Sequence, residues 1–229
     1  MTLSKLTTAA LLTALTLSTS SCIIHVGGQD NNDRDKSDYS SVFGGVDVAE
    51  NKQVGDLSSV NGNITIQDNV SASDVDAVNG NIEIGNNATV HDLSTVNGDI
   101  QAQSDLSVQG DVNTVNGNIR LGKNSSISGD ITTVNGDIYL TQTFVNEDIK
   151  TKNGSITLVK GSVVEGDIEF ESQEAGWWSD KSREHNPPTL TIDASSDVKG
   201  RIILRQVVVL EIENPAVLAK VERNYKDQE

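Results

Sequence analysis

The sequence predicts an all-β chain, a parallel β-solenoid of about nine coils of 18–19 residues closed by a short C-terminal helix. Three observations carry that prediction. Asn-Gly recurs at Asn61, Asn79, Asn97, Asn116, Asn135 and Asn153, at spacings of 18, 18, 19, 19 and 18. Apolar residues recur in step with it: Ile64, Ile82, Ile100, Ile119, Ile138 and Ile156 stand three after the Asn, and Leu57, Val75, Leu93, Val112, Ile131 and Ile149 four before it. Inside each segment the apolar positions alternate at period two, as strands require, and the 3.6-residue period of a helix is absent.

The chain opens with Lys5, an apolar run from Leu6 to Leu17, and the small residues Ser18, Thr19, Ser20 and Ser21 before Cys22. This is the pattern of a secretory signal over residues 1–21, with an apolar stretch too short to span a membrane. Cys22 is the single cysteine, so no disulfide forms within the chain. Its place after small residues resembles the lipobox of bacterial lipoproteins. That resemblance implies a lipidated first mature residue, and Ile23 after it matches the sorting pattern for the outer membrane, facing the periplasm or the cell surface.

Residues 22–41 then read as the lipidated terminus and a flexible polar tether, because Gln29 to Ser41 offers almost nothing to bury. The solenoid is expected over residues 42–214. A degenerate first copy of the repeat stands at Phe43-Gly44. The residue before each Asn is Val60, Val78, Val96, Val115 and Val134, with Lys152 as the exception, and these valines are expected inward with the other apolar columns. Polar Ser, Thr, Asn and Asp are expected outward.

One coil of three short strands cannot bury its apolar side alone, but stacked coils can. Each would pair in parallel with the next at about 4.8 Å, so that like residues form ladders along a rod of roughly 43 Å. In this scheme Asn-Gly is a corner that tolerates positive φ, with each Asn amide bonding its equivalent in the next coil.

The pattern continues as Val164-Glu165-Gly166-Asp167-Ile168 and Val198-Lys199-Gly200-Arg201-Ile202. The residues between Ile168 and Leu190 exceed what a coil holds there, so a loop is expected at about 171–188. Residues 215–229 are expected to cap the end, with an amphipathic helix across Pro215 to Lys226. No comparable cap is evident at the N-terminal end, which allows self-association through coil ends.

The repeated T-V-N-G-D-I unit resembles those of the β-strand-repeat adhesin family, and V-E-G-D-I resembles the repeats of bactofilins, the polymer-forming cytoskeletal proteins. Both resemblances imply a right-handed parallel β-helix over roughly residues 42 to 212. Bactofilins work in the cytoplasm, so the signal peptide favours an exported, adhesin-like relative.

Thirty-three acids against 17 Lys plus Arg leave a net charge of −16, which excludes nucleic acid as a partner. The expected partners are the membrane, through the N-terminal lipid, and an envelope glycan or protein. Five before each Asn, and in the later coils at the matching place, stand Asp56, Asp74, Asp92, Asp111, Asp130, Asp148 and Asp167, with Arg201 ending the series. Such a column needs compensation. Backbone N–H groups at the turn would supply it, or a row of weak Ca²⁺ sites would use it, since hard oxygen ligands suit that ion.

The loop holds Trp177 and Trp178 beside Lys181, Arg183 and His185, an expected ligand-binding loop if the indoles stack on sugar rings. Glu174, Asp180, Lys181, Arg183 and His185 are also the residues a polysaccharide-active β-helix enzyme would use. They all lie on one irregular segment, and no second set of loops exists to wall a cleft, so the chain reads as a non-enzyme. No cofactor motif is present.

Overall fold

The computed structural model describes residues 23–26, 37–172 and 187–225. These form a β-solenoid of about nine turns with three parallel faces. Each coil runs through a strand on face 1 (Leu93–Asn97, for example), the Asn-Gly corner, a strand on face 2 (Ile100–Ala102), a second corner, and a two-residue strand on face 3 (Ser107–Val108). The Gly-Asp corner returns it to face 1. Faces 1 and 2 each contain ten strands and face 3 contains six.

Register follows the repeat. Ile100 pairs with Ile82 and Ile119, and Asn116 with Asn97 and Asn135. The two spacings of 19 are absorbed without shifting any column, because the extra residue sits in the turns. The core is a stack of identical layers: Leu93, Ile100 and Val108 of one coil are wholly buried, as are Val112, Ile119 and Ile127 of the next. Each such side chain contributes about 1.5–3 kcal/mol, which outweighs what any single exposed ladder bond supplies.

The valines before the asparagines do not point inward. Val60, Val78, Val96 and Val115 are exposed, whereas Ser59, Thr95, Thr114 and Thr133, one residue earlier, are buried. Strand parity decides this: counting from buried Leu93, the inward positions of face 1 are alternate residues, which selects Thr95 and leaves Val96 outside. The buried hydroxyls are satisfied, since Ser59, Thr95, Thr114 and Thr133 donate to the carbonyls of Gly44, Gly80, Gly98 and Gly117 at 3.0–3.3 Å. Thr151 lacks such a partner.

The Asn-Gly corner also differs from expectation. Among its glycines only Gly44 has a positive φ. The others are required by close approach: a Cβ on Gly62, Gly80, Gly98, Gly117, Gly136 or Gly154 would lie 1.8–2.2 Å from the carbonyl oxygen of the equivalent glycine one coil earlier. Positive φ occurs instead at the corner between faces 2 and 3, at Asn51, Asn69, Asn87, Asp105, Asn124, Gln142 and Lys160. Asn and Asp predominate there because they enter the left-handed region at least cost.

The N-terminal end departs from the sequence boundary. Ile24–Val26, expected in the tether, is a strand paired with Val46–Val48, and face 1 begins at Tyr39 rather than at 42. Pairing satisfies backbone groups that the edge of face 2 would otherwise leave unbonded. Residues 22 and 27–36 of the expected tether lie outside the described residues. At the other end the expected short helix is present as a single turn, Pro215–Leu218, within the expected span Pro215 to Lys226. Asn214 caps it by accepting from the Ala216 N–H, and Val217 is buried against the core. The chain then returns as Val221–Arg223, which extends face 1 by pairing with Ile202–Leu204.

Candidate functional site

The chemistry-bearing residues among the described ones are gathered into columns along the corners. At the Asn-Gly corner the amides of Asn79, Asn97, Asn116, Asn135 and Asn153 donate to the side-chain oxygen of the Asn one coil earlier, at 2.7–3.1 Å. Asn61 starts the series by donating to the Val42 carbonyl at 3.3 Å. Two residues further on, a column the sequence reading missed runs through Asn63, Asn81, Asp99, Asn118 and Asp137. Each accepts from a backbone N–H of the next coil at 2.7–3.0 Å. Its signal in the sequence is the Asn or Asp of the N-G-[ND]-I repeat, which by itself indicates only an outward polar side chain.

The aspartate column is built the same way and starts one coil earlier than expected, at Asp38. In Asp56, Asp92, Asp111, Asp130 and Asp148, Oδ1 accepts the backbone N–H of the aspartate in the following coil, at 2.7–3.4 Å. Asp167 accepts likewise from Arg201 N at 2.7 Å. Compensation therefore comes from the neighbouring coil rather than from each residue's own turn. The column closes on cations: the Arg201 guanidinium donates to Asp167 Oδ2 at 2.6 Å and holds that carboxyl below the usual range. Lys150 sits between Asp130 and Asp148, at 3.0 and 3.1 Å. Partial burial alone would lower its pKa, but its bonds to the two carboxylates outweigh that and raise it.

One coil breaks the pattern. His91 occupies the place before the aspartate where Gly110 and Gly129 stand in the following coils. Its Nδ1 lies 2.9 Å from Asp74 Oδ1 and 3.3 Å from Asp92 Oδ2. The hydrogen bond to Asp74, then the charge of Asp92, raises the imidazole pKa. The three groups offer ligand atoms within 4.8 Å of one another, so the corner can hold a proton or a cation in an exposed position. His91 carries no role in the sequence reading, because only the stacking brings Asp74 beside it.

Over face 2, an open groove of about 430 Å³ is lined by Gln67, Asp68, Glu83, Gln101 and Gln103. Asp68 is engaged there by the backbone N–H of Asn86 at 2.6 Å. Cys22, Trp177, Trp178, Lys181, Arg183 and His185 lie outside the described residues, as do Glu174 and Asp180. Among the described residues no helix is long and apolar enough to cross a membrane.

Compared with known proteins, the chain matches no family model, and no curated protein or solved structure is significantly similar to it.

Proposed function

We propose that this chain is a non-enzymatic lipoprotein of the cell envelope, a rigid adhesin-like or scaffold rod held by a lipid at Cys22. The observation that carries the reading is how the polar columns are used. Asn, Asp and Thr side chains that an enzyme would aim at a substrate here bond the adjacent coil, so their chemistry goes into stiffness along the axis. A stiff acidic rod with a secretory signal and a lipobox-like cysteine suits display or spacing within the envelope. An envelope glycan or protein is the proposed ligand, met by the insertion that carries Trp177 and Trp178.

Cells fed labelled palmitate test the anchor. The wild-type chain takes up label and fractionates with the outer membrane, and Cys22→Ser abolishes the label and releases the protein. Equal labelling of both forms, or recovery of the wild type in the soluble fraction, rejects the reading.

Self-association through coil ends is a second reading, and the C-terminal end favours it. Among the described residues face 2 ends on Val209–Ile212 with no strand beyond it, and Val207, Val209 and Leu218 are exposed there. Sedimentation across a wide concentration range decides between a monomeric rod and growing filaments.

A further inference from the structure

Three of the four largest apolar exposures among the described residues are gathered at one end of the rod; the fourth, Val207 at 58%, lies at the other. Ile23 is 66%, Phe43 63% and Val42 58% exposed, against about 40% for Val60, Val78, Val96 and Val115 further along the rod. Val42 and Phe43 belong to the first complete coil, and Ile23 to the partial turn stacked beneath it. The pairing of Ile24 with Val46 places Ile23 level with Gly45, two residues after Phe43, so the three residues flank one corner. Missing stacking beneath the first coil accounts for part of the exposure of Val42. It does not account for the identity of Phe43, which stands in register with Asn61, in the column occupied by asparagine in the next six coils. An aromatic ring replaces a ladder amide at the end where an amide has no earlier coil to bond.

We propose that this corner, Ile23, Val42 and Phe43, is a membrane-resting surface that enters the interface of a zwitterionic lipid bilayer. The proposal rests on the lipidation of Cys22, the residue immediately before Ile23. Because Ile24 is already in the first strand of face 2, no long tether separates that lipid from the solenoid, and its chains would enter the bilayer beside Phe43. An aromatic and two aliphatic side chains fit the headgroup–acyl boundary. The charges around them select the lipid: Asp38, Asp47 and Asp56 surround the same end, with His25 3.3 Å from Asp47, so an anionic surface is repelled.

The rod then stands end-on with its N-terminal coil against the lipid. The helix Pro215–Leu218 and the last strands of faces 1 and 2 lie at the opposite end.

A single bimane probe tests this on the lipidated full chain, in which the Cys22 thiol is consumed by the lipid. Phe43→Cys carries the probe at the proposed surface, and Val207→Cys, equally exposed at the far end, serves as control. In phosphatidylcholine vesicles containing nitroxide-labelled lipid, the probe at 43 is expected to be quenched roughly twofold or more relative to the probe at 207, with a blue-shifted emission. Flotation of the vesicles reports the anchor separately. Protein that floats while both probes stay equally unquenched overturns the membrane-resting surface and leaves the anchor standing. Protein that neither incorporates palmitate nor floats removes the anchor, and the surface falls with it.

Discussion

Substituting Gly98 by alanine tests the central structural argument, that coils approach one another too closely at the Asn-Gly corner for any side chain. The added Cβ would lie 2.0 Å from the Gly80 carbonyl oxygen and 2.6 Å from its carbon, both backbone atoms that cannot rotate away. Restoring ordinary contact requires the coils to part by about 1 Å, which takes an N–H···O bond from ~2.9 Å to beyond useful range. Overpacking of this kind costs about 1–3 kcal/mol, and one local ladder bond adds about 1 kcal/mol, so a loss of about 2–4 kcal/mol is expected. For a body of this size that lowers Tm by about 5–15 °C.

Asn87→Gly is the matched control. It relieves a φ of 55° and forfeits one amide bond of 2.8 Å to Asn69, two effects that oppose each other. Its stability should stay within about 1 kcal/mol of wild type. Urea and thermal melts followed by circular dichroism measure both. A Gly98→Ala protein that melts with the wild type, or an Asn87→Gly protein that is the weaker of the two, refutes close approach as the reason for the glycine.

Four further outcomes follow from the same geometry. Thr114→Val strips a buried hydroxyl from the Gly98 carbonyl and should cost about 1 kcal/mol, whereas Val115→Thr, on the exposed side, should be nearly neutral; denaturant midpoints rank the two. Asp193, whose burial alone would raise its pKa, is brought to about 2 by the Lys160 N–H together with Ser196 and Ser195. Its stabilising contribution is therefore present above its unfolded value of 3.8 and lost as pH falls toward 2, so Asp193→Asn should flatten acid unfolding in that window. His91 has the opposite sign: the stability from its bond to Asp74 is full below the unfolded value of 6.5 and lost as pH rises through the raised folded value. An NMR titration in which Asp74→Asn left the imidazole pKa unchanged would remove that cause. Calcium at millimolar concentration should leave Tm and hydrodynamic radius unchanged, because Oδ1 of Asp92, Asp111, Asp130, Asp148 and Asp167 is already bonded to backbone and Oδ2 of Asp130, Asp148 and Asp167 faces Lys150 or Arg201; a rise in Tm on titration would show that the column binds cations despite those partners.

The sequence by itself determined the solenoid, its columns and the partner of each asparagine, because a repeat unable to bury its own apolar side has one economical solution, stacking in register. Period and spacing were enough to place Ile100 over Ile82 and Asn116 over Asn97. The tertiary structure decided which side of face 1 each residue takes. Val96 looks like core and Thr95 like surface until parity from Leu93 is imposed, and the hydroxyl is tolerated inside only because a glycine carbonyl of the earlier coil accepts from it. It also decided why the corner needs glycine, which depends on the distance between coils rather than on local φ, and no single coil contains that distance. The meeting of His91 with Asp74 across two coils, and of Ile23 with the Phe43 corner, likewise exists only after stacking. Linear sequence records what repeats. Contacts between one turn and the next are set by the approach of separate backbones, and only the assembled coils possess them.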